Sequence, residues 1–243
     1  MADAEVGLQR DDPFSGEGFT EGDAAQYTWA VPFDPAGLVA KLGGRRKAAA
    51  RLDRHFSKLN EGPRSPYAFL GNEPELGVPW LYDWLAQPWK TQRIVRQALL
   101  ELFDDTPAGY VGNDDLGAMS AWHVFGALGL YPPVPGESLL ALASPLFPEA
   151  VLHLARGDVT IRARRAAPDA PYVRRLTLNG RRHERPWLRL DEIACGARLD
   201  FDLATSPSRA WGRRRNDAPP SFPPGSAFPR RRADGCRGPR AQD

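Results

Sequence analysis

The chain has 243 residues, of which 42% are hydrophobic and 26% are charged, as is usual for a folded soluble domain. The net charge of +2 is too small to indicate a nucleic-acid-binding protein. No apolar run approaches the ~20 residues of a membrane span, and the N-terminus lacks the basic and apolar regions of a signal peptide. Composition therefore argues against nucleic acid and membrane as partners, and localisation stays open.

Residues 1–145 are predicted to be mainly helical. Apolar residues at helical spacing predict helices on both sides of Gly43-Gly44, between residues 35 and 60, with His55 on a core face. The stretch "TQRIVRQALLELF" predicts a helix with Thr91 as its N-cap. The stretch "GAMSAWHVFGALGLYP" predicts another, which ends at Gly129 and Pro132.

Residues 146–208 are predicted to form a small antiparallel β region. The pattern alternates around turns at residues 156–158 and at Asn179-Gly180, which predicts two hairpins. In "ARLDFDLAT" the residues Leu199, Phe201 and Leu203 lie on one strand face. Helices followed by strands indicate two layers or two domains.

Residues 209–243 are predicted to be a disordered Arg/Pro-rich tail. They contain nine Arg and three Asp, a net charge of +6, which leaves −4 for the rest of the chain. A polybasic tail can bind phosphates. A general arginine bias, 28 Arg against four Lys, is the favoured explanation. No structural disulfide is expected between Cys195 and Cys236, because the second cysteine lies in this tail.

Three loops combine carboxylates, Gly or Pro, and aromatic residues at loop-to-helix junctions. They are "EGFTEGDAAQYTW", "FLGNEPELGVPWLYDW" and "YVGNDDLGAMSAW". Each acid taken alone also fits a structural role, since carboxylates at helix starts bind free N–H groups. Asp115 alone is more often a cap, and Trp80 and Trp84 at i, i+4 are more often core residues.

Taken together, the three loops favour carbohydrate chemistry. Glycoside hydrolysis needs two carboxyl groups, one acid and one base or nucleophile. Neighbouring carboxylates raise each other's pKa, which helps to keep one of them protonated. Oxygen-rich loops also suit Ca²⁺, although the spacing is not that of an EF-hand. With four His and no HExxH, zinc is disfavoured.

The segments "EGDAAQYTWAVPFD", "GNEPELGVPWLYDWLAQPWKTQRIVRQAL" and "GYVGNDDLGAMSAWHVFGALGLYPPVPG" resemble the signature segments of glycoside hydrolase family 92, the calcium-dependent exo-acting α-mannosidases. The resemblance continues through "ASPLFPEAVLHL", "LTLNGR" and "PPSF", and it covers about Gly18 to Phe222. It implies the C-terminal part of an (α/α)₆ barrel over residues 1–145, with an antiparallel β region after it.

The resemblance implies inverting hydrolysis of terminal α-mannosides, often α-1,2-linked, in mannose-containing glycans. It places the general acid at Glu21 and the general base at Asp115. Its partner acid in that segment falls on Asn113 or Asp114. Calcium and sugar contacts are implied for Asn72 and Glu73, and Asn113 and Trp80 are further candidates for sugar contact.

The chain departs from the family pattern at several positions: Asp23 replaces Asn, Ala25 replaces Trp, Phe33 replaces His, "GNEPEL" replaces "GNEPSH", and His123 replaces Tyr. The hypotheses for the extra Glu75 are that it compensates for the lost polar pair in the sugar pocket or that it changes the linkage preferred. Family members are several times longer, are commonly secreted or periplasmic, and begin with a β-sandwich domain that is missing here. The alternatives are a truncated, non-catalytic carbohydrate-binding or inactive fragment, and another (α/α)₆ glycosidase or phosphorylase.

Overall fold

A computed structural model of the chain describes residues 16–223, in which helices precede β-sheets. The helical part contains α1 (Ala24–Tyr27), α2 (Pro35–Lys41), α3 (Arg45–His55), α4 (Pro88–Glu101) and α5 (Ala118–Leu128). Two 3₁₀ segments, Glu73–Glu75 and Val78–Asp83, lie between α3 and α4. A full (α/α)₆ barrel needs twelve helices, so the barrel assignment stays a prediction for this chain.

The helix boundaries follow local chemistry. Gly43 and Gly44, with φ of 83° and 93°, separate α2 from α3 as predicted. The C-terminal end of α5 is also confirmed, since Gly129 has φ of 73°. The predicted N-cap of α4 is wrong. Pro88 occupies the first turn, where its missing N–H costs nothing, and Thr91 is a buried residue that donates to the Pro79 carbonyl oxygen at 3.0 Å.

The strands form two sheets. A three-stranded sheet has the order β1 (Leu130–Tyr131), β2 (Leu139–Leu142) and β7 (Trp187–Arg189). A five-stranded sheet has the order β3-β4-β8-β5-β6, with these strands at Glu149–Leu154, Gly157–Arg162, Ala197–Ala204, Tyr172–Leu178 and Arg181–His183. Both predicted hairpins are present, as β3–β4 and β5–β6.

The prediction of a purely antiparallel region is wrong. Strand β8 inserts between β4 and β5, and it pairs with β4 in parallel, Val159 opposite Ala197. Strand pairing also begins at Leu130, before the predicted start at residue 146. Strand β2 is buried at all four positions, so it carries none of the alternation that reveals a half-exposed strand.

Buried polar contacts join the helical layer to the sheets. The side chain of Gln92 on α4 accepts the Val173 N–H at 3.1 Å. The guanidinium of Arg96, one turn further along the same helix, donates to the carbonyl oxygens of Ala167 and Pro145, the latter at 2.7 Å. Burial lowers the pKa of Arg96 to about 10. The two layers therefore pack as one body along α4.

The first part of the predicted disordered tail is ordered. The indole of Trp211 is 2% exposed and donates to the His183 carbonyl oxygen at 2.8 Å. The Trp84 indole donates to the Pro220 carbonyl oxygen at 3.1 Å, and the Phe222 N–H donates to the Phe33 carbonyl oxygen at 2.7 Å. Aromatic anchors thus bind residues 209–223 to both layers, and residues 224–243 of the predicted tail lie outside the described residues.

The expectation of no disulfide is contradicted at Cys195, which is disulfide-bonded. Cys236 lies outside the described residues. None of the helices within residues 16–223 combines the length and apolar character that crossing a membrane requires.

Asp83 carries an expected pH dependence of stability. Its carboxyl is fully buried, and neither oxygen has a hydrogen-bond partner among residues 16–223. Burial raises its pKa well above the usual range. The folded state keeps the proton that the unfolded state loses above the ordinary carboxyl pKa, so stability falls as pH rises toward the raised pKa.

We therefore expect Asp83→Asn to lose less stability than the unaltered chain between pH 4 and pH 8. Each unit by which folding raises the pKa corresponds to about 1.4 kcal/mol, or roughly 2–4 °C in Tm for each kcal/mol in a chain of this size. Thermal unfolding at several pH values measures it. The exposed Asp105→Asn change is the control, and equal pH profiles for the two variants would contradict the assignment.

Candidate active site

Two contacts bring the three acid-bearing loops together. The side-chain amide of Asn72, in the second loop, donates to the Glu21 carbonyl oxygen of the first loop at 2.8 Å. The second and third loops touch at Gly71 and Gly112, where a Cβ on Gly112 would overlap the Gly71 carbonyl group. The resemblance alone predicted that these segments share a site, and the fold joins their backbones.

Glu21 is exposed and its backbone lies in the left-handed region, with φ of 56°. Tyr27, four residues past the buried Asp23, donates its hydroxyl to the Thr20 carbonyl oxygen at 2.6 Å. Burial raises the pKa of the Tyr27 hydroxyl, and the carboxylates of Glu21 and Glu73 raise it further. Tyr27 therefore lies in the electrostatic field of both acids and stays a neutral hydrogen-bonding group.

The adjacent acids Asp114 and Asp115 have different roles. One Asp114 oxygen accepts the Ser120 hydroxyl at 2.6 Å and the Ser120 N–H at 3.0 Å, in the first turn of α5. These bonds lower the pKa of Asp114. The Asp115 carboxylate is exposed and makes no hydrogen bond or ion pair with residues 16–223, so Asp114 caps the helix and Asp115 stays available.

Backbone strain marks the same positions. Within residues 16–223, five non-glycine residues have positive φ: Glu21, Ala86, Asp115, Leu116 and Asn179. Asp115 has φ of 47°, and Leu116, which follows it, has φ of 56° and is fully exposed. Such conformations cost roughly 1–3 kcal/mol each and cluster at functional sites. Both predicted catalytic carboxylates are in this group.

Asn72 and Glu73 begin the 3₁₀ turn of the second loop. Asn72 is buried and Glu73 is exposed. Glu73 and Tyr27 line one cleft of about 380 Å³ whose remaining walls are mostly apolar and include Trp29, Pro74, Leu81, Trp84 and Tyr131. Asn113, in the third loop, is exposed. Of the predicted sugar-binding residues, Glu73 thus lines a cleft with the aromatic surface that sugar rings favour.

Trp80 does not contact solvent, so its prediction as a sugar-binding residue is wrong for this structure. It is 0% exposed, and its ring stacks on Tyr131 with centroids 5.2 Å apart. Trp84, 4% exposed, lines the cleft. The spacing of these two residues was more typical of a core, and the structure places both in it.

Charged side chains are buried beneath the loops. The Glu75 carboxyl forms a hydrogen bond with His55 Nε2 at 2.8 Å, and both residues are at most 2% exposed. Burial raises the pKa of Glu75, against the opposing effect of His55. The hypothesis that Glu75 faces the sugar is therefore not supported, because its side chain points into the core and anchors the Glu73–Glu75 turn.

Asp23 is a structural residue that sequence reasoning treated only as a departure from the family pattern. Its carboxylate accepts the N–H groups of Ala25 and Gln26 at the start of α1, and the N–H of Ser65 at 2.8 Å. It is fully buried, and burial raises its pKa. The spacing of Asp23 ahead of Ala25 and Gln26 is an N-cap signal that could have identified it.

The oxygen-bearing side chains at the site are of the type that binds calcium, but they are too few to bind the ion alone. The Asn72 side-chain oxygen and the Glu73 carboxylate are oxygen ligands of the type that Ca²⁺ prefers, and Ca²⁺ takes six to eight of them. Within residues 16–223 no group of three or more His, Cys, Asp or Glu residues is arranged to hold a metal. These two residues would therefore be a minority of the ligands.

Sequence comparison identifies the family. A sequence model of the glycosyl hydrolase family 92 catalytic domain matches residues 4–205. The chain belongs to glycosyl hydrolase family 92. A protein named as an uncharacterized secreted glycosidase from Arthroderma benhamiae is 33% identical over 198 residues, which are 79% of this chain and 24% of that protein.

Solved family 92 structures have the same fold over most of the chain. An α-mannosidase from Bacteroides thetaiotaomicron matches with a TM-score of 0.80 and 32% identity, over 86% of this chain and 28% of its own. An inverting mannosidase from the same organism matches with a TM-score of 0.76 and 36% identity, over 84% of this chain and 30% of its own. The first has also been solved with mannoimidazole bound. The chain thus spans about a quarter to a third of these relatives.

Proposed function

We propose that this chain carries the acid and the base of a family 92 enzyme that hydrolyses terminal α-mannosides with inversion. Family membership supports a glycosidase of the mannosidase type. The observation that supports the proposal most is the pair of strained, exposed carboxylates, Glu21 and Asp115, on loops joined through Asn72 and Gly112. α-1,2-linked mannose at the end of a glycan is the proposed substrate.

Glu21 is the proposed general acid. A leaving sugar oxygen needs a proton as the glycosidic bond breaks, and a positioned carboxyl group supplies it. Asn72 holds the Glu21 carbonyl oxygen, which fixes the backbone that carries the acid. Burial raises the pKa of Tyr27, and the carboxylates of Glu21 and Glu73 raise it further, so Tyr27 stays a neutral hydrogen-bonding group beside the acid.

Asp115 is the proposed general base. An inverting enzyme uses it to remove a proton from the water that attacks the opposite face of the sugar. Its carboxylate makes no bond to the described residues, whereas Asp114 is held by Ser120. Asp114 thereby positions the base through the backbone, and α5, anchored by the buried Met119 and Trp122, is the rigid mount.

Asn72 and Glu73 are the proposed protein ligands of a calcium ion, with sugar hydroxyls and water as further ligands. A bound Ca²⁺ would hold sugar hydroxyls and act as a Lewis acid and template. Asn72 already uses its amide nitrogen on Glu21, which leaves its oxygen for the ion. The A. benhamiae relative is named as secreted, and we propose the same location for the enzyme to which this chain belongs.

The proposed calcium site predicts that calcium raises the affinity of the 243-residue chain for a mannose analogue. We expect mannoimidazole to bind the 243-residue chain more tightly with calcium than with chelator, and Glu73→Gln to weaken calcium-supported binding by about 10- to 100-fold, the effect of losing one charged contact. Isothermal titration calorimetry measures both. Glu101→Gln, an exposed change on α4, is the matched control.

Binding that is indifferent to calcium and to Glu73→Gln would contradict the calcium assignment. Hydrolysis is a separate question, because the chain spans about a quarter to a third of its relatives. We expect the isolated chain to release mannose poorly or not at all. If a complete enzyme that contains this chain bound mannoimidazole tightly with calcium but released no mannose, the non-catalytic alternative would be favoured.

A further inference from the structure

The outer face of the five-stranded sheet carries a groove of about 560 Å³ rich in arginine. Five arginines line it: Arg162, Arg164, Arg165, Arg174 and Arg175. The acidic side chains in the lining are Asp200 and Asp202, both on the central strand β8. Five positive and two negative charges give the lining a net charge of +3, and none of the lining residues belongs to the acid-bearing loops.

A β-bulge places two of these arginines on the same side of the sheet. In a regular strand, consecutive side chains point to opposite faces. The register of β5 against β8 shifts between Val173 and Arg175. As a result Val173 and Leu176 are buried while Arg174 and Arg175 are both exposed. Bulges re-aim side chains in this way and are over-represented beside functional sites.

A tight turn places two more arginines, Arg164 and Arg165, in the groove lining. Directly after β4, the Ala166 N–H donates to the Ala163 carbonyl oxygen at 2.7 Å. Arg164 and Arg165 are the central residues of this turn and are exposed. Ala163 is fully buried and anchors it. The general arginine richness of the chain explains the residue type, but it does not explain why a bulge and a turn direct four of these residues into one groove.

The acids neutralise only part of this charge. Arg162 pairs with Glu149 at 2.9 Å, outside the groove lining. Arg174 pairs with Asp202 at 3.0 Å, and Arg165 lies 3.9 Å from the same carboxylate. Arg164 and Arg175 form no ion pair with residues 16–223. Two guanidinium groups are therefore available to an external anion.

We propose that this groove binds a tetrahedral oxyanion, phosphate or sulfate, free or as an ester. The planar fork of arginine gives paired hydrogen bonds to such oxygens. A dianion matches the net charge of +3 without requiring either aspartate to be protonated. Asp202 pairs with Arg174 and lies 3.9 Å from Arg165, so its carboxylate competes with the anion for these two guanidinium groups.

The test uses the purified 243-residue chain without calcium, at constant ionic strength, because screening weakens exposed charge interactions. Titration with sodium phosphate and sodium sulfate, followed by two-dimensional NMR, is expected to show saturable shifts in β5 and the 163–166 turn, and acetate none. Arg164→Gln with Arg175→Gln is expected to weaken phosphate binding by about tenfold or more. Arg46→Gln with Arg54→Gln, the same charge change on exposed positions of α3, is expected to leave it unchanged.

A second variant is expected to strengthen phosphate binding, whereas the arginine variant weakens it. Asp202→Asn removes a negative charge from the groove and releases Arg174, so phosphate should bind several-fold more tightly. All of these changes are at surface positions, and unaltered melting temperatures would show that the fold is retained. Equal weakening by the groove pair and the α3 pair would overturn the proposal, because binding would then follow net charge alone.

Three ligands distinguish whether the groove binds a sugar phosphate, free phosphate or an acidic peptide. Tighter binding of mannose 6-phosphate than of inorganic phosphate assigns the groove to a sugar ester, and equal binding assigns it to the free ion. Both results support the proposal. Tighter binding of a polyglutamate peptide than of either phosphate would overturn it in favour of an acidic protein partner. None of these outcomes depends on mannoside hydrolysis.

Discussion

Glu21→Gln is expected to lower kcat on natural α-mannosides by about 10²–10⁴-fold, the usual contribution of a general acid. The setting is a chimera in which residues 18–222 replace the matching part of the B. thetaiotaomicron α-mannosidase, whose fold agrees with a TM-score of 0.80. The physical reason is specific to the leaving group. A sugar alkoxide needs a proton to depart, whereas a dinitrophenolate does not.

The loss in Glu21→Gln should therefore shrink strongly with a dinitrophenyl α-mannoside. Asp115→Asn should lose activity to the same extent on both substrates, because the attacking water needs a base in either case. Glu17→Gln and Asp105→Asn, exposed changes near the same loops, are the controls. A Glu21→Gln variant whose loss is independent of the leaving group would contradict its role as the acid.

Gly112→Ala is expected to be the most damaging small substitution in the site. Gly112 has φ of 68°, which strains any other residue, and a Cβ there would overlap the backbone of Gly71. Left-handed backbone costs roughly 1–2 kcal/mol, and forced overlap adds about 1–3 kcal/mol. Because the overlap lies between two of the acid-bearing loops, the change should also separate them.

Gly44→Ala is the matched control. Gly44 has φ of 93° and open space around the position of a Cβ, so only the backbone strain applies. We expect Gly112→Ala to reduce both the unfolding free energy and calcium-dependent mannoimidazole binding, and Gly44→Ala to reduce the first alone. Denaturant unfolding and calorimetry measure the pair. Equal effects of the two substitutions on binding would show that the Gly71–Gly112 contact does not hold the site together.

Periodicity was informative where one face of an element is exposed. The helices on both sides of Gly43-Gly44 and the two hairpins follow from spacing and turn residues. Strand β2 was missed because it is buried on every side. The parallel pairing of β8 with β4 was missed because it depends on which strand enters the sheet between two others, a long-range property that no local pattern carries.

The site shows the same division. The acids of the three loops could be identified from the sequence, but their individual roles could not. The sequence placed Asp114 and Asp115 side by side, and only the Ser120 contacts distinguish the cap from the available carboxylate. Glu75 was assigned to the sugar pocket from its position in the "GNEPEL" segment, and its buried contact with His55, 20 residues away, is not evident from the sequence.

The anomeric form of the first product distinguishes a general base at Asp115 from a carboxylate that attacks the sugar. In the chimera, proton NMR during the first turnovers of an α-mannoside should show β-mannose forming first, because Asp115 as a base directs water to the face opposite the leaving group. The same spectra with Asp115→Asn should show little product. Initial release of α-mannose would contradict the assignment of Asp115 as a base, because retention requires a carboxylate that attacks the sugar itself.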